Sequence, residues 1–159
     1  MDLYDTAIQM EIKGARFYRD LAGKAVTTGL KALFRMLAED EHKHQQVFMA
    51  MRDGIDPQMA DSIASDEVEN VFKNDNKADF LKESKQADVY GQALELELES
   101  IEFYSEKLEE VELPGQLRIL ERIIQEERSH YDIIDDIIIM VSRPDSWVEN
   151  AEFGTRENY

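Results

Sequence analysis

At 159 residues, with 43% hydrophobic and 33% charged side chains, the chain is long enough for one domain with a real core and has a globular balance. Its 35 acidic and 18 basic residues give a formal charge of −17, which argues against nucleic acid and anionic membranes and suits a solvated, cation-attracting surface. The absence of cysteine excludes disulfides, thiol catalysis, iron–sulfur clusters and any Cys-ligated iron or zinc within the chain.

The first predicted element runs from Leu3 to about Val26, where Leu3, Ala7, Met10, Tyr18, Leu21, Ala22 and Ala25 recur at helical spacing. Thr27-Thr28-Gly29 reads as a turn. A second helical pattern follows through Leu30, Leu33, Phe34, Leu37, Phe48 and Met51 and stops at Asp53-Gly54. So short a connection implies an antiparallel pair.

Between Asp53 and Gln86 the periodicity weakens. Pro57 and Asn74-Asp75-Asn76 mark turns, while Ile63, Val68, Val71, Phe72, Phe80 and Leu81 are placed to anchor one or two short helices. That stretch is too apolar for a free linker, and it is expected to run the length of a bundle as a crossover. The third long helix spans Ala87 to Val111, with Ala93, Leu96, Ile101, Tyr104 and Leu108 inward. Leu113-Pro114-Gly115 turns the chain, and a fourth helix covers about Gln116 to Ser142, stopped at Arg143-Pro144. The expected architecture is all-α: a ferritin-like four-helix bundle over residues 1–142, two antiparallel hairpins joined by the crossover. Residues 143–159, with Trp147, Phe153 and Tyr159, form a tail expected to pack on the bundle or on a partner subunit.

Shifting the chain by 86 residues brings its halves into register without a gap. Ala7-Ile8-Gln9-Met10-Glu11 lies over Ala93-Leu94-Glu95-Leu96-Glu97, Phe17-Tyr18 over Phe103-Tyr104, and Gly29 over Gly115. Leu37-Ala38-Glu39-Asp40-Glu41-His42-Lys43-His44 lies over Ile123-Ile124-Gln125-Glu126-Glu127-Arg128-Ser129-His130. Two Glu-x-x-His motifs therefore stand in equivalent places, Glu41/His44 and Glu127/His130, each with a Glu 30 residues upstream, Glu11 and Glu97. All six fall on inward stripes. Glu39-x-x-His42 has the same spacing, but its repeat partners are Gln125 and Arg128 and it lies off the stripe, so both residues are read as surface.

Four carboxylates and two imidazoles converging in an apolar core need cations. Two divalent ions balance four negative charges, and oxygen and nitrogen donors without thiolate suit iron or manganese, with zinc or cobalt able to occupy the same cage. This set, one Glu from each of two helices and Glu-x-x-His from each of two others, is the one that ferritin-like di-metal bundles use. Tyr18 and Tyr104 stand seven residues after Glu11 and Glu97 on the same stripes. They fit two roles: hydrogen-bond donors to ligand carboxylates, or core aromatics satisfied elsewhere. Tyr131 reads as packing.

With these residues in place the chain resembles the rubrerythrin branch of the ferritin-like di-iron proteins. The resemblance is carried by Ala7-to-Tyr18, Leu37-to-Phe48, Ala93-to-Tyr104, Ile123-to-Ile133 and Arg143-Pro144-Asp145-Ser146-Trp147. It implies two iron ions held by Glu11, Glu41, His44, Glu97, Glu127 and His130, an oxidant that is peroxide or dioxygen, and a homodimer. Rubrerythrins usually carry a cysteine-ligated rubredoxin iron; this chain has no cysteine, so the resemblance implies a separate electron donor such as rubredoxin. It also implies an extra carboxylate three residues before the third-helix ligand. Leu94, three residues before Glu97, is taken to stand in its place, which puts peroxidase activity in question.

The leading expectation is a di-iron oxidoreductase. Ferroxidase or iron-handling activity, a di-manganese catalase-like enzyme with Mn or mixed metals, and a non-enzymatic helical module are the alternatives. Met1-Asp2-Leu3-Tyr4-Asp5 lacks the basic start and apolar run of a signal peptide, and no stretch approaches about 20 apolar residues, so a cytoplasmic protein is expected.

Overall fold

Helix α1 (Leu3–Lys24) starts where Asp2 accepts a hydrogen bond from the Asp5 amide at 2.8 Å, a side-chain cap on an otherwise orphan donor. Thr27 caps α2 (Thr28–Arg52) in the same way, accepting from Leu30 N at 3.2 Å. Between them α1 ends two residues earlier than its apolar pattern suggests. The reason is tertiary: the buried carboxylate of Glu83 takes the amides of Val26 and Thr27, the latter at 2.8 Å, and also accepts from Tyr90 Oη at 2.8 Å. Gly54, just past α2, turns the chain out with φ 74°, a backbone that glycine adopts without a Cβ penalty.

The computed structural model describes residues 2–57, 59, 61–71, 82–83 and 86–142, and no strand occurs among them. The crossover begins beyond α2, and its short helix α3 (Ile63–Glu67) packs on α2 and on the last helix, burying Ala64. Asp53 follows the far end of α2 and Glu83 lies back at the α1–α2 turn, so the two described ends of the connection stand at opposite ends of the bundle. Phe72, Phe80, Leu81 and Asn74-Asp75-Asn76 lie outside the described residues, as does the tail from 143.

The second hairpin pairs α4 (Ala87–Lys107) with α5 (Pro114–Ser142) across a 3₁₀ turn, Leu108–Glu110. Two boundaries differ from the sequence reading. The last residues of the third helix tighten into the 3₁₀ turn, and Pro114 begins α5 rather than turning ahead of it. Proline suits the first position of a helix, where its missing N–H has no partner to lose. The inward stripe of α4 is also narrower than its apolar residues imply. Tyr90, Ala93, Glu97, Ser100 and Tyr104 are buried, whereas Leu96, Ile101 and Leu108 are half-buried.

The result is the expected all-α ferritin-like bundle. Its core is split into two apolar clusters. One, at the α1–α2 turn end, holds Tyr18, Leu33, Phe34, Leu37, Tyr90, Ile134 and Ile137. The other, towards the far end, holds Ile8, Val47, Phe48, Tyr104, Leu120 and Ile123. Between them lies a belt of fully buried polar side chains. No described helix is long and apolar enough to cross a membrane.

Candidate metal centre

Every member of that belt comes from the inward stripe of a different turn of α1, α2, α4 or α5. Glu11, Glu41, His44, Glu97, Glu127 and His130 are each at most 3% exposed. They form two overlapping groups, Glu11/Glu41/His44/Glu127 and Glu41/Glu97/Glu127/His130, each with its donor atoms within 4.8 Å of one another. Glu41 and Glu127 belong to both groups. Glu39 is exposed and His42 only partly covered, away from the belt.

The histidines show how the repeat becomes a two-fold arrangement. Their rings lie 6.1 Å apart and 20° from parallel. Each aims Nδ1 into the carboxylates: His44 Nδ1 is 2.9 Å from Glu127 Oε1 and 3.5 Å from Glu11 Oε2, and His130 Nδ1 is 3.0 Å from Glu41 Oε1 and 3.4 Å from Glu97 Oε1. Each turns Nε2 outward onto an acidic residue from the other half of the chain. His130 Nε2 meets Asp40 Oδ2 at 3.0 Å, and His44 Nε2 meets Glu126 Oε1 at 2.9 Å. The tyrosines cross over too. Tyr18 Oη donates to Glu97 Oε1 at 2.5 Å and Tyr104 Oη to Glu11 Oε1 at 2.7 Å.

Asp40 and Glu126 were not singled out in the sequence, although the signal was there. Each immediately precedes the Glu of a Glu-x-x-His motif, and the 86-residue offset superposes them. A residue one step from the stripe is rotated about 100° from it, so it reads as surface until a neighbouring helix covers it. Leu94 calls for a correction: it packs against the apolar cluster around Phe34 and Tyr90. The side chain facing the site beside Glu97 is Ser100, three residues after it, which lines a cavity with Gly14, Tyr18, Glu41, Glu97 and Glu127. Leu94 therefore says nothing about the chemistry of the centre.

That cavity, about 60 Å³, opens between α1 and α4 past Lys13 and Glu99. It admits a few water-sized molecules and no organic substrate of ordinary size. Gly14 keeps it open, since a Cβ there would fall 3.0 Å from Glu41 Oε2.

The electrostatics are those of a cage that wants positive charge. Burial, then the charge of Glu11 and a hydrogen bond shared with it, push Glu41 up to about 7. Glu97 is raised by burial and by Glu41, and Glu127 is raised well above the carboxylate range by burial with Glu11, Glu41 and Glu97. Burial acts to lower both imidazoles, but the carboxylates, Glu11 first at His44 and Glu97 first at His130, outweigh it and leave them well above 6.5. Asp40 goes the other way: burial would raise it, yet the hydrogen bonds from His130, Ser62 and Ile63 hold it at about 2. As a carboxylate it only accepts, so His130 Nε2 carries a proton, and Nδ1 is the atom left to bind a cation.

Glu97 Oε2 and Glu127 Oε2 are buried without a hydrogen-bond partner, and Glu11 Oε2 and Glu127 Oε1 meet only the approach of His44 Nδ1, at 3.5 and 2.9 Å, which lacks hydrogen-bond geometry. Orphaned oxygens cost free energy unless something else satisfies them. Oxygen and imidazole donors of this number, pointed at two common centres, fit two divalent cations.

The rubrerythrin family model matches residues 2–138. The chain belongs to the rubrerythrin family. No curated protein and no solved structure gives a significant match. As a member of the rubrerythrins it is a carboxylate protein of the ferritin-like superfamily, and its buried Glu/His belt is the part suited to a metal centre.

Proposed function

We propose that Glu11, Glu41, His44, Glu97, Glu127 and His130 hold two iron ions, and that the centre reduces hydrogen peroxide or dioxygen with electrons from a separate donor of the rubredoxin type. The observation that carries this reading is the set of partnerless buried oxygens on Glu11, Glu97 and Glu127, gathered with two imidazole Nδ1 atoms inside a rubrerythrin-family bundle. When bound, two ferrous ions supply the two electrons that, with two protons, turn one hydrogen peroxide into two waters.

The chain's own residues set the terms of that reaction. Glu41 and Glu127 lie in both donor groups and would be the residues shared by the two ions. Tyr18 and Tyr104, whose hydroxyls burial raises well above the usual value, stay protonated and fix the orientation of Glu97 and Glu11 rather than supplying protons. The cavity beside Gly14 and Ser100 delivers a small oxidant to the Glu97 side, and its size turns larger molecules away. The two apolar clusters exclude water from the remaining faces.

Stopped-flow mixing of the anaerobic Fe(II) protein with peroxide and, separately, with oxygen tests the proposal. Oxidation of the centre much faster than that of free Fe(II) by at least one of them is expected; no acceleration by either sinks it.

A further inference from the structure

Although the six central donors repeat almost symmetrically, the groups behind the two histidines do not. Asp40 is buried and saturated. Its Oδ2 accepts from Ser62 Oγ at 2.6 Å, from Ala64 N at 3.2 Å and from His130 Nε2 at 3.0 Å, and its Oδ1 accepts from Ile63 N at 2.9 Å. Ser62, Ile63 and Ala64 belong to the start of α3, and Ser65 Oγ ties that helix to Ser129 Oγ at 2.8 Å, next to His130. The ring of His130 is thus clamped by a carboxylate that cannot rotate.

Glu126, its repeat mate, is 12% exposed and shares its charge with Arg122 Nε at 3.7 Å. Arg122 is itself 40% exposed and is drawn outward by Asp61 Oδ1 at 2.6 Å and the Met59 carbonyl at 3.0 Å. A partly exposed carboxylate, part of whose charge goes to a cation, fixes the His44 ring less firmly. A carboxylate behind a histidine ligand orients the ring and raises its basicity, and both effects are stronger where that carboxylate is immobile and dry.

We propose that the two half-sites are unequal: the Glu97–His130 position takes a divalent cation first and releases it last, and the Glu11–His44 position is the exchangeable one. This rests on the metal-centre reading above. The asymmetry originates in the crossover, since Ser62, Ile63 and Ala64 have no counterpart in the short α4–α5 connection that would serve Glu126.

The test is anaerobic titration of the metal-free protein with Co(II), followed calorimetrically, with anomalous diffraction at the cobalt edge from crystals carrying one equivalent. Two binding steps at least about tenfold apart are expected, with the first ion between Glu97 and His130. Two equal steps, or first occupancy beside His44, overturn the inference and leave the metal-centre reading standing; no cobalt binding overturns both. Glu126→Gln should weaken the second step by about tenfold and leave the first unmoved, while Ser62→Ala, which removes one donor from Asp40, should narrow the gap severalfold. A gap unchanged in both variants places the asymmetry elsewhere and refutes the assignment.

Discussion

Glu11 and Glu97 occupy the same place in the repeat, yet their surroundings diverge. Glu97 stands at the inner end of a cavity between Gly14 and Ser100, themselves a repeat pair of small residues, and its partner Tyr18 lines the same space. Glu11 is not among the residues lining that cavity, and its partner Tyr104 is packed against Phe48 with ring centres 5.2 Å apart. The repeat sets the two carboxylates in equivalent places; which of them lines the cavity is decided by the packing around them. Of the two repeat-related carboxylates, Glu97 lines the cavity and Glu11 does not.

The largest effect should come from the residues common to both half-sites. Glu127→Gln is expected to lower metal content per chain more than about tenfold, as measured by elemental analysis after loading. It should also raise the melting temperature of the metal-free protein by about 3 °C or more, because burial and three neighbouring carboxylates disfavour that charge. A variant that keeps both ions would remove Glu127 from the shared position and leave the two half-sites independent.

Protons and cations should compete for the whole belt with opposite pH dependence. In the metal-free protein Glu41 titrates at about 7 in the fold against 4.5 as a free group, so the fold gains stability as pH falls through 7. His44 and His130, raised above 6.5, add stability that is complete below 6.5 and lost as pH rises through their folded values. Asp40 sets the lower limit, because its contribution is present above 3.8 and lost towards 2. The metal-free protein should therefore melt highest near pH 5 and lower at pH 8, while the metal-loaded protein should show the reverse as acid strips the ions. Scanning fluorimetry on both forms decides it; a metal-free melting temperature that rises from pH 5 to 8 contradicts the electrostatics.

The tyrosines sharpen the contrast between the open and the closed side. Tyr18→Phe and Tyr104→Phe each remove one hydrogen bond to a buried carboxylate, a loss of about 1.5–3 kcal/mol in the binding or folding free energy that depends on it. Both should weaken metal binding, read by calorimetry, but only Tyr18→Phe is expected to change the rate with peroxide as well. Equal effects on that rate would show that the cavity does not select the Glu97 side.

The smallest change is Gly14→Ala. A methyl group in mid-helix should stabilise the metal-free protein by about 1 kcal/mol. Placed 3.0 Å from Glu41 Oε2, it should push that buried carboxylate aside by a few tenths of an ångström, offset part of that gain and slow peroxide reduction severalfold. Higher stability with an unchanged rate would mean that the room over Gly14 is not used.

The helices were legible because a 3.6-residue period is a local property, and the hairpins because their connections are short. Where the reading slipped, a distant group intervened. Glu83 reaches across more than 50 residues to end α1 at the turn, and it carries no periodicity of its own to announce this. The half-buried Leu96 and Ile101 show the same limit, since apolar character fixes a stripe's centre better than its width.

What the sequence by itself determined was a grouping: a constant 86-residue offset and one stripe per helix suffice to name Glu11, Glu41, His44, Glu97, Glu127 and His130 together, and the tertiary structure brings them into one buried belt. What only the tertiary structure decided was how the copies differ. Asp40 is dry and saturated, and Glu126 partly exposed and shared, because the crossover gives three donors to one and reaches the other only through Arg122. Leu94 belongs to the core and Ser100 to the site because the helix turns about 100° per residue and the neighbouring helix fixes which of those directions is inward. Periodicity places a residue on a face; only packing determines what that face meets.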